Sequence, residues 1–194
     1  SDEQSAGQTA TPGNSQASPS QETGSEIIWS AGHETGNLEE WEAYGGFVRQ
    51  GSGTFRLVTS PVHTGNYAVA LTIDTLAPSP TGGHASYLFF WTPLQDEGYY
   101  YSAWYYIPSG IQTGSWWNLW QWKSTDNGNG ADSKPIFSLD AARIGSDLFL
   151  YLYQRPDQED KVIYEQTALP IPQDRWFHLE AYYKRGQNND GEVI

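Results

Sequence analysis

The segment "DLFLYLYQR", residues 147–155, alternates aliphatic side chains with aromatic or charged ones, and this alternation decides the fold. Successive side chains of a β-strand point to opposite faces of the sheet, so each face collects every second residue. One face holds Leu148, Leu150 and Leu152, and the other holds Phe149, Tyr151, Tyr153 and Arg155. We expect the leucine face to meet a core and the aromatic and cationic face to point outward.

Similar short segments recur along the chain, separated by Gly, Pro, Asn and Asp. They are residues 67–73, 85–91, 99–107, 116–122, 134–144, 161–167 and 175–184. Only residues 36–44 favour a short helical turn. This spacing predicts an all-β sandwich of antiparallel strands.

The chain ends in "NNDGEVI". Asn189, Asp190 and Gly191 favour a hairpin turn, and residues 192–194 would begin the returning strand. We therefore expect one or more C-terminal strands to be missing.

The first 25 residues differ in composition from the rest, with no aromatic residue and no Leu, Ile or Val. Such a segment buries too little apolar surface to offset its chain entropy, so we expect a disordered linker before a domain spanning residues 26–194. The chain has no cysteine and no methionine, which excludes disulfide bonds and CxxC zinc sites and favours a processed protein. We expect an extracellular or cell-surface location with this linker as a tether, and no membrane insertion.

The formal charge of the chain is −13, and aromatic residues make up 15% of it. An acidic domain without a basic stripe cannot displace counterions from phosphates, so nucleic acid is disfavoured as a partner. Exposed aromatic rings stack on sugars as well as on bases, and the negative charge favours sugars. We therefore expect a polysaccharide partner and a monomeric protein.

The side chains of two further predicted strands also divide between a core-like face and an outer face. In residues 175–184, the core-like face holds Phe177, Leu179, Ala181 and Tyr183, and the outer face holds Trp176, His178, Glu180, Tyr182 and Lys184. In residues 116–123, the core-like face holds Trp116, Asn118, Trp120 and Trp122, and the outer face holds Trp117, Leu119, Gln121 and Lys123. We expect Asn118 to serve as a hydrogen-bond partner for the indole N–H groups of this strand.

Polar residues on the outer face of a sandwich are commonly no more than solvated surface. Convergence of three such faces would instead produce a groove for an extended glycan. This alternative requires the three strands to be neighbours in one concave sheet.

Five segments resemble, in the same order, the heparin lyase and glucuronan lyase group of polysaccharide lyases. They are "GHETGNLEEW" (32–41), "SPVHTGNYAVAL" (60–71), "YYYSAWYYIPSG" (99–110), "WWNLWQWKS" (116–124) and "IPQDRWFHLEAYYKRG" (171–186). The resemblance implies a concanavalin A-like β-jelly roll and cleavage of a uronate-containing polysaccharide by β-elimination. In that reaction a base removes the proton α to the uronate carboxylate, and the 4-linked sugar leaves.

The resemblance also implies roles for individual residues. The Gln-x-His pattern of the group matches Gln121-Trp122-Lys123, so Gln121 would bind the carboxylate and Lys123 occupies the histidine position. The Tyr-Lys pair of the group matches Tyr182 or Tyr183 with Lys184, and strand parity favours Tyr182 as base or acid. We also consider His178 and His84 as substitute bases, and we expect Lys123, Lys184 or His178 to assist Tyr182 in catalysis. Strand parity, rather than the resemblance, places Trp117, Tyr151, Tyr153, Arg155 and Lys184 on outer faces, where we expect them to hold flanking sugars.

The sequence does not decide whether the protein binds a metal ion, and it leaves two alternative functions open. No cofactor is expected, although Glu34 could help to hold a structural calcium ion. A non-catalytic carbohydrate-binding module of the same fold is favoured by Lys123 in place of histidine. A structural or adhesive surface domain is the third possibility, in which the outer aromatic residues would pack against another domain.

Overall fold

The computed structural model describes residues 27–42, 47–49, 52–80, 83–90, 98–113, 116–125, 133–154, 161–184 and 192–194. In these ranges the chain forms one short helix, α1 (Glu39–Glu42), and antiparallel strands. The strands are β1 (Phe47–Arg49), β2 (Thr54–Val58), β3 (Ala68–Thr72), β4 (Tyr87–Phe89), β5 (Tyr99–Tyr106), β6 (Trp116–Thr125), β7 (Ser133–Ile144), β8 (Asp147–Gln154), β9 (Lys161–Gln166), β10 (Trp176–Lys184) and β11 (Glu192–Val193). The helix that these ranges contain falls far short of the length a bilayer crossing needs.

The all-β prediction is confirmed, and each predicted strand is present with shifts of one to a few residues at its ends. The helical turn predicted in residues 36–44 is α1. Two short strands, β1 and β2, were not predicted, although both contain aromatic and β-branched residues. The predicted linker, residues 1–25, and the predicted turn, residues 189–191, lie outside the described residues. The returning strand after that turn is present as β11 and pairs antiparallel with β10.

The strands form two main sheets and two smaller pairs. The four-stranded sheet has the order β6-β7-β8-β9, and the three-stranded sheet has the order β11-β10-β5. The smaller pairs are β1 with β4 and β2 with β3. This arrangement is the β-jelly-roll sandwich expected from the sequence.

The core lies between the two main sheets. Trp122 of β6 is 6% exposed and packs with Ala181 and Tyr183 of β10. The rings of Trp122 and Tyr183 are stacked, with centroids 5.8 Å apart. A second cluster contains Ile107, Ala141, Leu148 and Ile171, with Leu150 and Phe177 packed against it. The predicted core faces of β8 and β10 are therefore confirmed.

A β-bulge interrupts the alternation of β6. Asn118 pairs with Asp140 and Trp120 with Leu139, so Leu119 is the additional residue between two consecutive partners. The Tyr105 hydroxyl donates a hydrogen bond of 3.0 Å to the Leu119 carbonyl oxygen. Burial raises the pKa of Tyr105, which keeps this hydroxyl protonated and able to donate.

The chain divides into two units, Ser1–Ser30 and Ala31–Ile194. Residues 27–30 are the described part of the first unit and form neither helix nor strand. All the strands lie in the second unit.

Candidate active site

The outer face of the four-stranded sheet carries polar and aromatic side chains in neighbouring rows. One row contains Gln121, Ser138 and Tyr153, which are paired across β6, β7 and β8. The next row contains Asn118, Asp140, Tyr151 and Glu165. Three residues singled out from the sequence, Gln121, Tyr151 and Tyr153, therefore come together on one face.

Four of these side chains form a hydrogen-bonded group that we call the polar cluster: Asn118, Gln121, Ser138 and Asp140. The Gln121 Nε2 donates to Asn118 Oδ1, and the Asn118 Nδ2 donates to Asp140 Oδ1. The Ser138 hydroxyl donates to the other carboxylate oxygen of Asp140 over 3.2 Å. Asp140 is only 2% exposed, so this carboxylate is held by protein donors rather than by bulk water.

Burial shifts the proton equilibria on this face. Desolvation raises the pKa of Asp140, and hydrogen bonds from Asn118 and Ser138 act in the opposite direction. Desolvation, followed by the negative charge of Asp140, raises the pKa of Tyr151 to about 12. At neutral pH Tyr151 therefore keeps its proton, so it can act as an acid but not as a base.

Lys123 follows the polar cluster along β6. Its Nζ lies 5.5 Å from the ring centroid of Tyr87 and 5.8 Å from that of Phe89, both in β4. Aromatic faces attract the ammonium form of lysine. An ammonium group held in this way can attract an anion.

The structure reverses the predicted orientation of the two tryptophans that open β6. Trp117 packs against the core cluster of Ala141 and Leu148, whereas Trp116 is 53% exposed. The prediction that Trp117 lies on the outer face beside Gln121 is wrong, because the bulge at Leu119 changes the parity between residue 118 and residue 120. Trp120 and Trp122 remain in the core, as predicted.

Asn118 is also on the other face from the one predicted. Its amide binds Asp140 and Gln121, so it cannot serve the indoles in the core. Among the described residues, the buried Trp122 Nε1 has no hydrogen-bond partner. The bulge again accounts for the error.

His178, Tyr182 and Lys184 lie on a different surface from Gln121. Tyr182 lies between Ala181 and Tyr183, whose side chains enter the core, so it points away from the four-stranded sheet. Gln121 precedes the buried Trp122 and points away from β10. The single surface expected from three neighbouring strands is therefore not formed, because β10 belongs to the opposite sheet.

The outer face of the three-stranded sheet is an aromatic surface of its own. The Trp104 indole stacks with the imidazoles of His63 and His178, at centroid distances of 3.9 Å and 4.6 Å. The ring centroids of Tyr100 and Tyr182 are 5.0 Å apart. His178 Nδ1 lies 3.8 Å from Glu180 Oε1. These groups lie on the opposite side of the sandwich from the polar cluster.

Glu34 is bound by the chain itself. Its carboxylate accepts hydrogen bonds from the Asn66 backbone N–H, the Asn66 side chain and the Tyr67 N–H, all between 2.9 and 3.1 Å. The backbone hydrogen bond from Asn66 lowers the pKa of Glu34. Within the described ranges there is no group of three or more His, Asp or Glu side chains suited to a metal ion.

Some site residues were missed from the sequence, and one predicted residue cannot be placed. Ser138 and Asp140 alternate with the core residues of β7, so their shared face could have been recognised from residues 134–144. Trp116 and Asn118 could not, because no sequence signal marked the bulge. Arg155 lies outside the described residues.

Residues 33–194 match the family model described as "Polysaccharide lyase". This match covers every strand of the described residues, from β1 to β11. No curated protein and no solved structure matched the chain.

Proposed function

Because the chain belongs to the polysaccharide lyase family, we propose that it cleaves a uronate-containing polysaccharide by β-elimination on the outer face of the four-stranded sheet. The observation that supports this most is the polar cluster, which fixes Gln121 on the same face of the sheet as Tyr151 and Tyr153 of β8. The resemblance of five segments to the heparin lyase and glucuronan lyase group supports a uronate as substrate.

β-Elimination from a uronate requires the carboxylate charge to be reduced, since the α-proton is only weakly acidic. Gln121 has one Nε2 hydrogen left after its bond to Asn118, and this hydrogen can bind a carboxylate oxygen. The Lys123 ammonium adds positive charge on the same strand. Together they would stabilise the enolate-like intermediate.

The leaving sugar oxygen needs a proton, and Tyr151 is the proposed donor. Its pKa of about 12 keeps the hydroxyl protonated through the neutral range. Tyr151 pairs with Asp140, and Asp140 pairs with Asn118, so the acid and the carboxylate-binding group belong to adjacent rows of the same face.

The described residues of these four strands include no histidine, so a histidine base would have to come from another element. We propose His84 for this role. It lies three residues before Tyr87, whose ring contacts the Lys123 ammonium. His178 and Tyr182 are less suitable because they project from the opposite sheet.

The proposal is tested by incubating the protein with glucuronan, heparin, alginate and a neutral β-glucan. Formation of the 4,5-unsaturated uronate is followed by its ultraviolet absorbance. Gln121→Ala and His84→Ala should each abolish turnover while the circular dichroism spectrum is retained. Gln112→Ala, at an exposed loop position, is the matched control and should leave turnover unchanged. Full turnover by Gln121→Ala would exclude the assigned role.

A non-catalytic carbohydrate-binding module is the second candidate. It is favoured by the contact of Lys123 with two aromatic rings, because a charged lysine stands at the position of the group's histidine. Retention on a uronate affinity gel without any unsaturated product would support this candidate against the lyase.

A further inference from the structure

We propose that Asp140 is a positioning residue: through Asn118, its buried carboxylate fixes which end of the Gln121 amide faces Asn118 and which end is left for the glycan. This inference rests on the proposed function of Gln121. It adds Asp140, a residue that does not touch the substrate, to the candidate site. Neither the alternation of β6 nor the Gln-x-Lys pattern indicates this residue.

The direction of each hydrogen bond follows from the chemistry of the groups. An ionised carboxylate can only accept, so Asn118 must turn its Nδ2 towards Asp140. The Asn118 Oδ1 then faces Gln121 and can only accept. Gln121 must therefore donate through Nε2, which leaves one N–H and the Oε1 for a ligand.

Asp140 is well suited to hold this direction. Its two oxygens accept from different residues, Asn118 at Oδ1 and Ser138 at Oδ2. It is 2% exposed, and Ser138 is 4% exposed, so water has little access to compete for these bonds. The other ionisable groups that face it are Tyr151 and Tyr153 of β8 and, beyond them, Glu165 of β9.

The direction determines what the site can recognise. In the orientation set by Asp140, the free side of Gln121 offers one donor and one acceptor, which suits a carboxylate oxygen next to a sugar hydroxyl. If both amides were reversed, Gln121 would turn its Oε1 to Asn118 and present two N–H groups. The same residues would then match a different arrangement of substrate oxygens.

Asp140→Asn tests the inference, because an amide of the same shape can donate as well as accept and no longer fixes the direction. The variant should fold, since the amide keeps the shape of the carboxylate and its oxygen can still accept the hydrogen bond from Ser138. The first measurement is the ¹H–¹⁵N NMR spectrum of the side-chain amides in the full chain, with Asn118→Ala and Gln121→Ala used for assignment.

We expect the Asn118 and Gln121 side-chain signals to move together in Asp140→Asn. Asp147→Asn, which changes an exposed carboxylate at the start of β8, is the matched control and should leave both signals in place. Unchanged Gln121 signals in Asp140→Asn would overturn the inference. This measurement needs no substrate, so it decides the inference even if the proposed activity is wrong.

Turnover provides a second readout. Loss of a charge-assisted hydrogen bond in the chain to Gln121 should lower kcat/KM about tenfold in Asp140→Asn. In an Asn118→Ala background the same substitution should have no further effect, because the connection is already broken. An equal loss in both backgrounds would show that Asp140 acts by another route and would overturn the inference. Absence of unsaturated product from the unaltered protein would instead overturn the proposed function.

Discussion

Trp116 and Trp117 are adjacent in sequence but point to opposite faces of β6. Replacing each by alanine separates the contribution of the outer face from that of the core. Trp117 packs against a core cluster, and truncation of a core tryptophan costs about 3–5 kcal/mol. Trp117 is only partly buried, so we expect a loss of about 3 kcal/mol in the free energy of unfolding. Trp116 is 53% exposed, so its truncation should cost about 1 kcal/mol.

The difference of about 2 kcal/mol corresponds to roughly a thirtyfold change in the folding equilibrium, which urea denaturation resolves easily. Glycan binding should show the opposite order. Trp116 shares a row with Ala142 and Phe149 on the same outer face as the polar cluster, and its indole is open to a sugar ring. Trp116→Ala should therefore weaken retention on a uronate gel, whereas folded Trp117→Ala should not. Equal destabilisation by the two substitutions would refute the assigned parity of β6.

Two further predictions concern stability. Gly65→Ala should lower the melting temperature more than Gly110→Ala does. Both positions have φ near +74°, but only the Cβ added at Gly65 would clash with a side chain, the Glu34 carboxylate. The φ penalty common to both substitutions is about 1–2 kcal/mol, so equal shifts of the melting temperature would contradict the Glu34 contact. Burial raises the pKa of Tyr101 and of Tyr151 to about 12, above the ordinary value of 10.0. The folded state thus holds protons that the unfolded chain releases, so the free energy of unfolding should fall as the pH rises from about 10 to about 12. Urea titrations across this range, repeated with Tyr101→Phe, should show a smaller fall in the variant.

Much of the fold follows from local patterns in the sequence. The alternation of Leu148, Leu150 and Leu152 identified the core face of β8, and the same reasoning placed Ala181 and Tyr183 inside the sandwich. These faces are predictable because a regular strand has a fixed period and a buried face must be apolar.

The candidate site was less predictable for two physical reasons. The bulge at Leu119 changes the period within β6, and it depends on the pairing with β7 rather than on residues of β6 alone. Which strands share a sheet is also a property of long-range pairing. The outer faces of β8 and β10 both looked suitable for a glycan, but parity cannot tell that they belong to opposite sheets.

Because β6 carries one additional residue at the bulge, the strand can lose a residue there without changing the faces of its other side chains. Removing Leu119 would restore strict alternation while Trp116, Asn118 and Gln121 kept their outward direction and Trp117 kept its inward one. Deletion of Trp117 or Gln121 would instead turn a neighbouring side chain, Asn118 or Trp120, to the opposite face. Alignments of related chains should therefore tolerate a one-residue gap at this point of the strand, and a relative with such a gap can still present the same chemical groups.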